Sequence, residues 1–163
     1  MITMDNIQQI DYLTYVIKEA LRLDGPAVQT FPYIVNQDIT VCNVKISKGT
    51  PVRPDIIAPH YSPNEWQKPK EFIPERYDPE SKYYARPGKG SIKRDPSAWL
   101  PFSRGIRTCP GQSIAMLELK VLLAYFLTRV EYEVDKKLFE TEGVGFANGS
   151  HFKLDIRVTK IIQ

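Results

Sequence analysis

Eleven of the chain's 13 prolines fall between Pro51 and Pro110. Proline has no backbone N–H to give to a ladder and fixes its own φ, so no long helix or strand can cross so dense a run. Such a stretch is either a linker or an ordered meander of turns. Trp66, Phe72, Tyr77 and Trp99 are interleaved with the prolines, and rings of this size gain by burial that a linker does not offer. The middle of the chain therefore reads as a packed meander.

Regular structure is expected on either side of it. Residues 5–23 place Ile7, Ile10, Leu13, Val16, Ile17, Ala20 and Leu21 at helical spacing and stop at Gly25-Pro26, which predicts an amphipathic helix. Asp5 with Gln8 fits a capping box and Asp11 a second start, so a break is expected near residues 10–12. Residues 33–35, 39–41, 44–46 and 52–58 are short and β-rich between Asn, Asp and Gly, which predicts the strands of one small sheet. Residues 111–129 predict a second helix, apolar on more than one face and so expected to be buried. Residues 131–134 and 152–161 alternate like strands, with Asn148-Gly149 as the turn signal of a terminal hairpin.

The 163 residues are 42% hydrophobic and 25% charged, proportions that exclude wholesale disorder and fit one folded region spanning 1–163. Two cysteines exclude a disulfide scaffold. The longest apolar run, residues 121–127, is far short of the ~20 needed to cross a bilayer, and no leader opens the chain, so neither membrane anchor nor export is expected. A net charge of +3 is too small to suggest nucleic acid, but residues 82–107 alone carry +6 and the remainder −3. The belt comprises Lys82, Arg86, Lys89, Lys93, Arg94, Arg104 and Arg107 against Asp95. It could attract an acidic partner or a cofactor's anionic groups, or be an ordinary solvated loop.

The segment 102–111, Phe-Ser-Arg-Gly-Ile-Arg-Thr-Cys-Pro-Gly, stands directly before the second helix. Cys109 is placed where unpaired N–H groups and the positive end of the helix dipole favour an anion, with Arg107 adding charge. Both lower a thiol's pKa and favour thiolate, the form that ligates metals or attacks electrophiles. Pro110 suits a first helical turn, and Gly105 and Gly111 permit a tight turn and the close approach of a flat ligand. The residues alone thus indicate an activated or metal-ligating cysteine, with a buried inert cysteine as the alternative. His60, His151 and Cys42 have no partner at metal-site spacing and read as structural.

The pattern Phe102, Gly105, Arg107, Cys109, Gly111 resembles the haem-ligating loop of the cytochrome P450 monooxygenases. Two further motifs stand upstream in the family's order. Glu19-Ala20-Leu21-Arg22 resembles the Glu-x-x-Arg of its K helix, and residues 72–77, Phe-Ile-Pro-Glu-Arg-Tyr, resemble its meander motif. Glu19 and Arg22 share a helix face and can form a bidentate pair, at minimum a surface pair of a few tenths of a kcal/mol. The resemblance implies instead a buried triad of Glu19, Arg22 and Arg76 that locks the meander against the helix.

The implied fold is the C-terminal part of the P450 domain, mainly α with small β-sheets: K-like helix, small sheet, proline-rich meander, cysteine loop, buried L-like helix and terminal hairpin. The implied cofactor is haem, with Cys109 as axial iron ligand and catalytic residue, Arg107 pairing a propionate and Phe102 shielding the sulfur. The implied activity is insertion of one oxygen from dioxygen into an apolar small-molecule substrate, with electrons from an external reductase that the basic belt could dock. Ala27, Val28, Gln29, Thr30 and Phe31 are implied substrate contacts, and residues 143–150 resemble a substrate-contacting hairpin tip. Tyr33 stands where family members often carry a propionate-binding Arg, so haem anchoring is expected to lean on Arg107. Only the family's final third is matched, without its central proton-delivering helix. A truncated, non-catalytic haem-binding remnant is therefore the alternative function. Complete eukaryotic members usually sit on the cytosolic face of the endoplasmic reticulum; for this chain location is left unknown.

Overall fold

The computed structural model describes residues 6, 7, 9–134 and 156–162. The first long helix, α1, is Asp11–Asp24. A turn at residues 9 and 10 separates it from a short helical piece at residues 6 and 7, so the break falls where expected, but Asp11 does not cap it: Asp11 is the first helical residue, the N-cap is Ile10, and no side chain caps the helix. The capping pair Asp5 and Gln8 lies outside the described residues. The helix ends because Gly25 leads the chain away: a Cβ there would lie 2.7 Å from the Leu21 carbonyl oxygen, a clash only glycine avoids.

Beyond α1 the predicted single sheet is two separate ribbons. Strands β1 (Tyr33–Ile34) and β4 (Pro51–Val52) pair antiparallel with Tyr33 opposite Val52. Strands β2 (Ile39–Val41) and β3 (Val44–Ile46) form a hairpin whose turn residues, Cys42 and Asn43, both have positive φ of 48° and 64°. This is the twist a two-residue turn needs between right-twisted strands. The strand expected over 52–58 stops at Val52. Pro54 cannot donate to a ladder, and the Asp55 carboxylate instead accepts from Ile57 N (2.7 Å) and Ala58 N (3.1 Å). That cap starts the one-turn helix α2, Ile57–His60.

The meander is ordered by short 3-10 turns at Pro74–Tyr77, Pro96–Ala98 and Gly105–Arg107. Its centre is Trp66, 1% exposed, whose ring lies 6.1 Å from that of Tyr77 and whose Nε1 donates to Pro59 O at 3.0 Å. The turn at Pro74–Tyr77 rests on α1, and Tyr77 OH donates to Lys18 O at 3.3 Å.

The helix α3, Gln112–Arg129, follows the cysteine loop. Ile7, Leu13 and Ile17 form a small core with Ala124, flanked by Leu21, Met116, Val121 and Leu123. The expectation that α3 is buried does not hold: Ile114 and Leu122 are 64% and 65% exposed, and Ala124 alone of the helix is buried. Helix α1 can cover only one stripe of a helix that is apolar all round, and an apolar groove of about 640 Å³ stays open between the two. Strand β5 (Val130–Val134) leaves α3 and pairs antiparallel with β6 (Ile156–Ile161). The expected turn at Asn148-Gly149, the tip at 143–150 and His151 lie outside the described residues. Among the described residues no helix is long and apolar enough to cross a membrane.

If Trp66 is the keystone of the meander, Trp66→Ala should lower the unfolding free energy by about 3–5 kcal/mol in urea denaturation. A loss below about 1 kcal/mol would show that its ring is not packed in solution.

Candidate functional site

Glu19 and Arg22 sit three residues apart on α1, and the Pro74–Tyr77 turn brings Arg76 to them; all three side chains are fully buried. Glu19 Oε2 accepts from Arg22 Nε at 2.8 Å, and Oε1 from Arg22 Nη2 at 2.9 Å and Arg76 Nε at 2.9 Å. The Ile73 backbone N–H adds a fourth bond at 3.0 Å to Oε1. The outer guanidinium nitrogens of both arginines also reach backbone carbonyls. Arg22 reaches His60 O and Pro69 O, each at 2.7 Å, and Glu71 O at 3.3 Å. Arg76 reaches Gln67 O, Lys68 O (2.6 Å) and Glu71 O (3.2 Å). A buried carboxylate flanked by two cations is tolerable only when lone pairs and N–H groups are met in this way. The carbonyls of Gln67, Lys68, Pro69 and Glu71 are thereby turned toward the arginines, which fixes the path of the proline-rich stretch.

Two members of this cluster carry no sequence signal of their own. Arg94 belongs by sequence to the basic belt, but it is half-buried and its guanidinium is turned onto the meander. Its Nη1 donates to Tyr83 O (2.9 Å) and Tyr84 O (2.6 Å), its Nη2 to Arg76 O, and its guanidinium carbon is 4.4 Å from the Trp66 ring centre. Arg86 is paired with Glu65. The outward-facing belt is therefore reduced to Lys82, Lys89, Lys93, Arg104 and Arg107. His60, fully buried, places Nδ1 3.1 Å from Arg22 O, while Nε2 lies 2.7 Å from the Leu100 amide nitrogen. An amide can only donate and a carbonyl only accept, so the ring is neutral with its proton on Nδ1. Burial, with the Arg22 charge nearby, lowers its pKa to about 4, despite the bond to Arg22 O and the Asp55 carboxylate acting the other way.

From Leu100 the chain enters the cysteine loop. Trp99 Nε1 donates to Lys18 O at 3.1 Å, tying the base of the loop to α1, and the rings of Trp99 and Phe102 lie 6.1 Å apart. Ser103 and Gly105 take positive φ of 62° and 81°, so the loop doubles back. Glycine is the residue that adopts the second of these without strain, and a Cβ there would meet nothing within 4 Å. The fold-back is closed by Cys109 N donating to Phe102 O at 2.9 Å and Thr108 N to Gly105 O at 3.1 Å. Gly111, the residue before α3, has an ordinary φ of −83°. A Cβ there would lie 3.8 Å from Cys109 Sγ, so its effect is to leave space beside the sulfur.

Cys109 is exposed at the start of α3, as is Arg107, whose side chain has no hydrogen-bond or ion-pair partner among the described residues. Phe102 is half-buried. Among the described residues no three His, Cys, Asp or Glu converge on one point. A single accessible sulfur, with open space beside it and a free guanidinium two residues away, fits a metal that brings most of its own ligands in a flat, acid-bearing macrocycle. Haem is such a group, and the residues present fit it. Residues 27–31 run along α2's approach: Ile56 N donates to Val28 O (3.2 Å), Thr30 N to Pro54 O (3.3 Å), and Gln29 bridges Asp55. Ala27 and Thr30 are half-buried, Val28 and Gln29 are exposed, and Phe31 is 91% exposed. Tyr33 lies in β1 with its side chain partly open to solvent.

A family model described as Cytochrome P450 matches residues 1–150. Human Cytochrome P450 4F8 is 39% identical over 129 residues, which cover 78% of this chain and 23% of that protein. Cytochrome P450 4V2 of Rattus norvegicus is 38% identical over 136 residues (83% and 24%), and Cytochrome P450 3A11 of Mus musculus 33% over 135 (83% and 25%). The solved structure of retinoic acid-bound cyanobacterial CYP120A1 superposes with a TM-score of 0.69 at 27% identity, covering 80% of this chain and 29% of that one. The chain thus spans about a quarter of the length of these curated relatives.

The His60 environment sets a pH dependence. Unfolded, its imidazole takes up a proton near pH 6.5, whereas folded it stays neutral down to about 4. Between those values the unfolded state binds the extra proton, so stability falls as pH drops from about 6.5 to about 4. His60→Gln should flatten that part of the stability profile in urea melts, and an unchanged slope would contradict the assignment.

Proposed function

The chain belongs to the cytochrome P450 family, and from that premise we propose that it forms the haem-thiolate part of a monooxygenase acting on an apolar small molecule. Bound at this site, haem with thiolate ligation would supply the reductive splitting of dioxygen, with two electrons from a reductase and two protons, so that one oxygen atom goes to the substrate and the other leaves as water. The observation that carries the reading is Cys109 itself, accessible and presented by a closed backbone loop where α3 begins.

In this reading each residue of the loop has a task. Cys109 Sγ, as thiolate, would hold the haem iron and be the catalytic residue. The bond from Cys109 N to Phe102 O fixes the direction of that side chain, and Phe102 covers one side of the sulfur. Gly105 makes the fold-back possible, and Gly111 keeps the space beside Sγ clear for the macrocycle. Arg107 meets a propionate, a task that falls to it the more because Tyr33 supplies no charge. Ala27, Val28, Gln29, Thr30 and Phe31 contact the substrate, and the open Phe31 ring suits an apolar one. Retinoic acid, bound in the similar cyanobacterial structure, is a molecule of that kind. Electrons come from an external reductase, for which Lys82, Lys89 and Lys93 are the outward-facing charges.

A second reading is favoured by the solvent exposure of Cys109 and of one side of α3. Oxygen activation needs a dry, ordered site, so the 163 residues by themselves bind haem without turnover.

The test of the first reading is the carbon monoxide difference spectrum of the reduced protein. It should show the Soret band shifted by thiolate ligation, and Cys109→Ser should abolish that shift. A wild-type spectrum without the shift, or its survival in Cys109→Ser, would refute the proposal.

A further inference from the structure

We propose that His60 is a positioning residue for the Cys109 loop, its neutral ring bridging the end of α1 to the Leu100 N–H from which the loop springs. The inference deepens the haem-thiolate reading and rests on it for its consequence, though not for its geometry. His60 lies outside the three segments that resemble family motifs and reads from sequence as an ordinary structural residue.

Donors and acceptors decide the arrangement. Arg22 is bound to His60 twice: its Nη1 donates to His60 O at 2.7 Å, and its own carbonyl oxygen lies 3.1 Å from His60 Nδ1. The ring is therefore held in one orientation by the same arginine that holds Glu19. In that orientation Nε2 points its lone pair at Leu100 N, 2.7 Å away. Leu100 is the first residue of the turn that becomes the loop, since its carbonyl accepts from Ser103 N at 2.9 Å. Phe102, two residues on, holds the Cys109 amide. A chain of hydrogen bonds and short backbone links thus runs from the buried carboxylate to the amide of the ligand residue.

Replacing the Nε2 acceptor strands a buried N–H at Leu100 and frees the base of the loop to shift. The fold has other ties at that point, since Trp99 Nε1 still bonds Lys18 O. The loss should therefore appear as a misplaced sulfur before it appears as unfolding. Misplacement of an axial ligand is read directly in the spectrum of its complex.

The experiment compares two conservative variants in the full chain. In His60→Gln the amide oxygen can occupy the place of Nε2 and accept from Leu100. In His60→Asn the amide group reaches only the place of Nδ1, so the bond to Arg22 O is kept and the bond to Leu100 is lost. Hydrogen exchange at the Leu100 and Cys109 amides should be at least about fivefold faster in His60→Asn and within about twofold of wild type in His60→Gln, the size expected for one net hydrogen bond. The carbon monoxide complex should shift from the thiolate to the non-thiolate form in His60→Asn only. Nitrogen NMR of the unmodified protein should show the proton on Nδ1 at neutral pH, a measurement that stands even if both variants fail to fold. Equal behaviour of the two variants in exchange, or a proton on Nε2, would overturn the inference. Should wild type itself lack the thiolate band, the haem-thiolate reading fails, and His60's place in the loop is still decided by exchange and tautomer.

Discussion

Burying one carboxylate between two guanidinium groups is the constraint on which the rest of this structure depends. Glu19 cannot stay charged and dry unless every oxygen lone pair facing the protein is met, and its two arginine partners cannot be dry unless their outer protons are met too. The protein meets the second demand with backbone carbonyls of His60, Gln67, Lys68, Pro69 and Glu71. Residues 60–76 are therefore shaped less by their own preferences, which proline has weakened, than by where two arginines need oxygen. The meander is the shell of an ion cluster.

That shell is what keeps the loop with little regular structure in place. Trp66, stacked near both Arg22 and Arg94, fills the space under the carbonyls, and Arg94 returns to Arg76 O. Trp99 and Leu100 are then tied to α1 and to His60 respectively. The Cys109 amide is tied to Phe102 O, and its thiol is exposed. The exposed apolar side chains of α3 and the groove against α1 are consistent with a chain that spans about a quarter of its relatives' length.

Much of this is legible from sequence where a residue type answers a local demand. Gly105 is needed because the backbone there has positive φ, and Gly25 because a side chain would strike Leu21 O. The Glu19 and Arg22 spacing puts both on one helix face. The break before Asp11 falls where expected, but no side chain caps the helix there. Arg76, 57 positions from Glu19, has no spacing rule that links them; only the motif around it points there. His60 and Arg94 are invisible as partners because what they bind are backbone atoms, which every residue supplies alike. The 52–58 segment misleads because β-branched residues outvote Pro54 and the Asp55 cap. Helix α3 misleads because an apolar surface shows that cover is wanted, and says nothing about which part of a chain provides it.

Glu19 and Arg76 should act as one unit on which the meander depends. A double-mutant cycle in urea denaturation with Glu19→Gln, Arg76→Leu and the pair measures this most directly. Each single change should cost about 3–5 kcal/mol by stranding a buried charge or carbonyl set. The double change should fall short of their sum by about 1–3 kcal/mol. Additive losses would mean that the two side chains do not meet in solution, and the clamp would have to be abandoned.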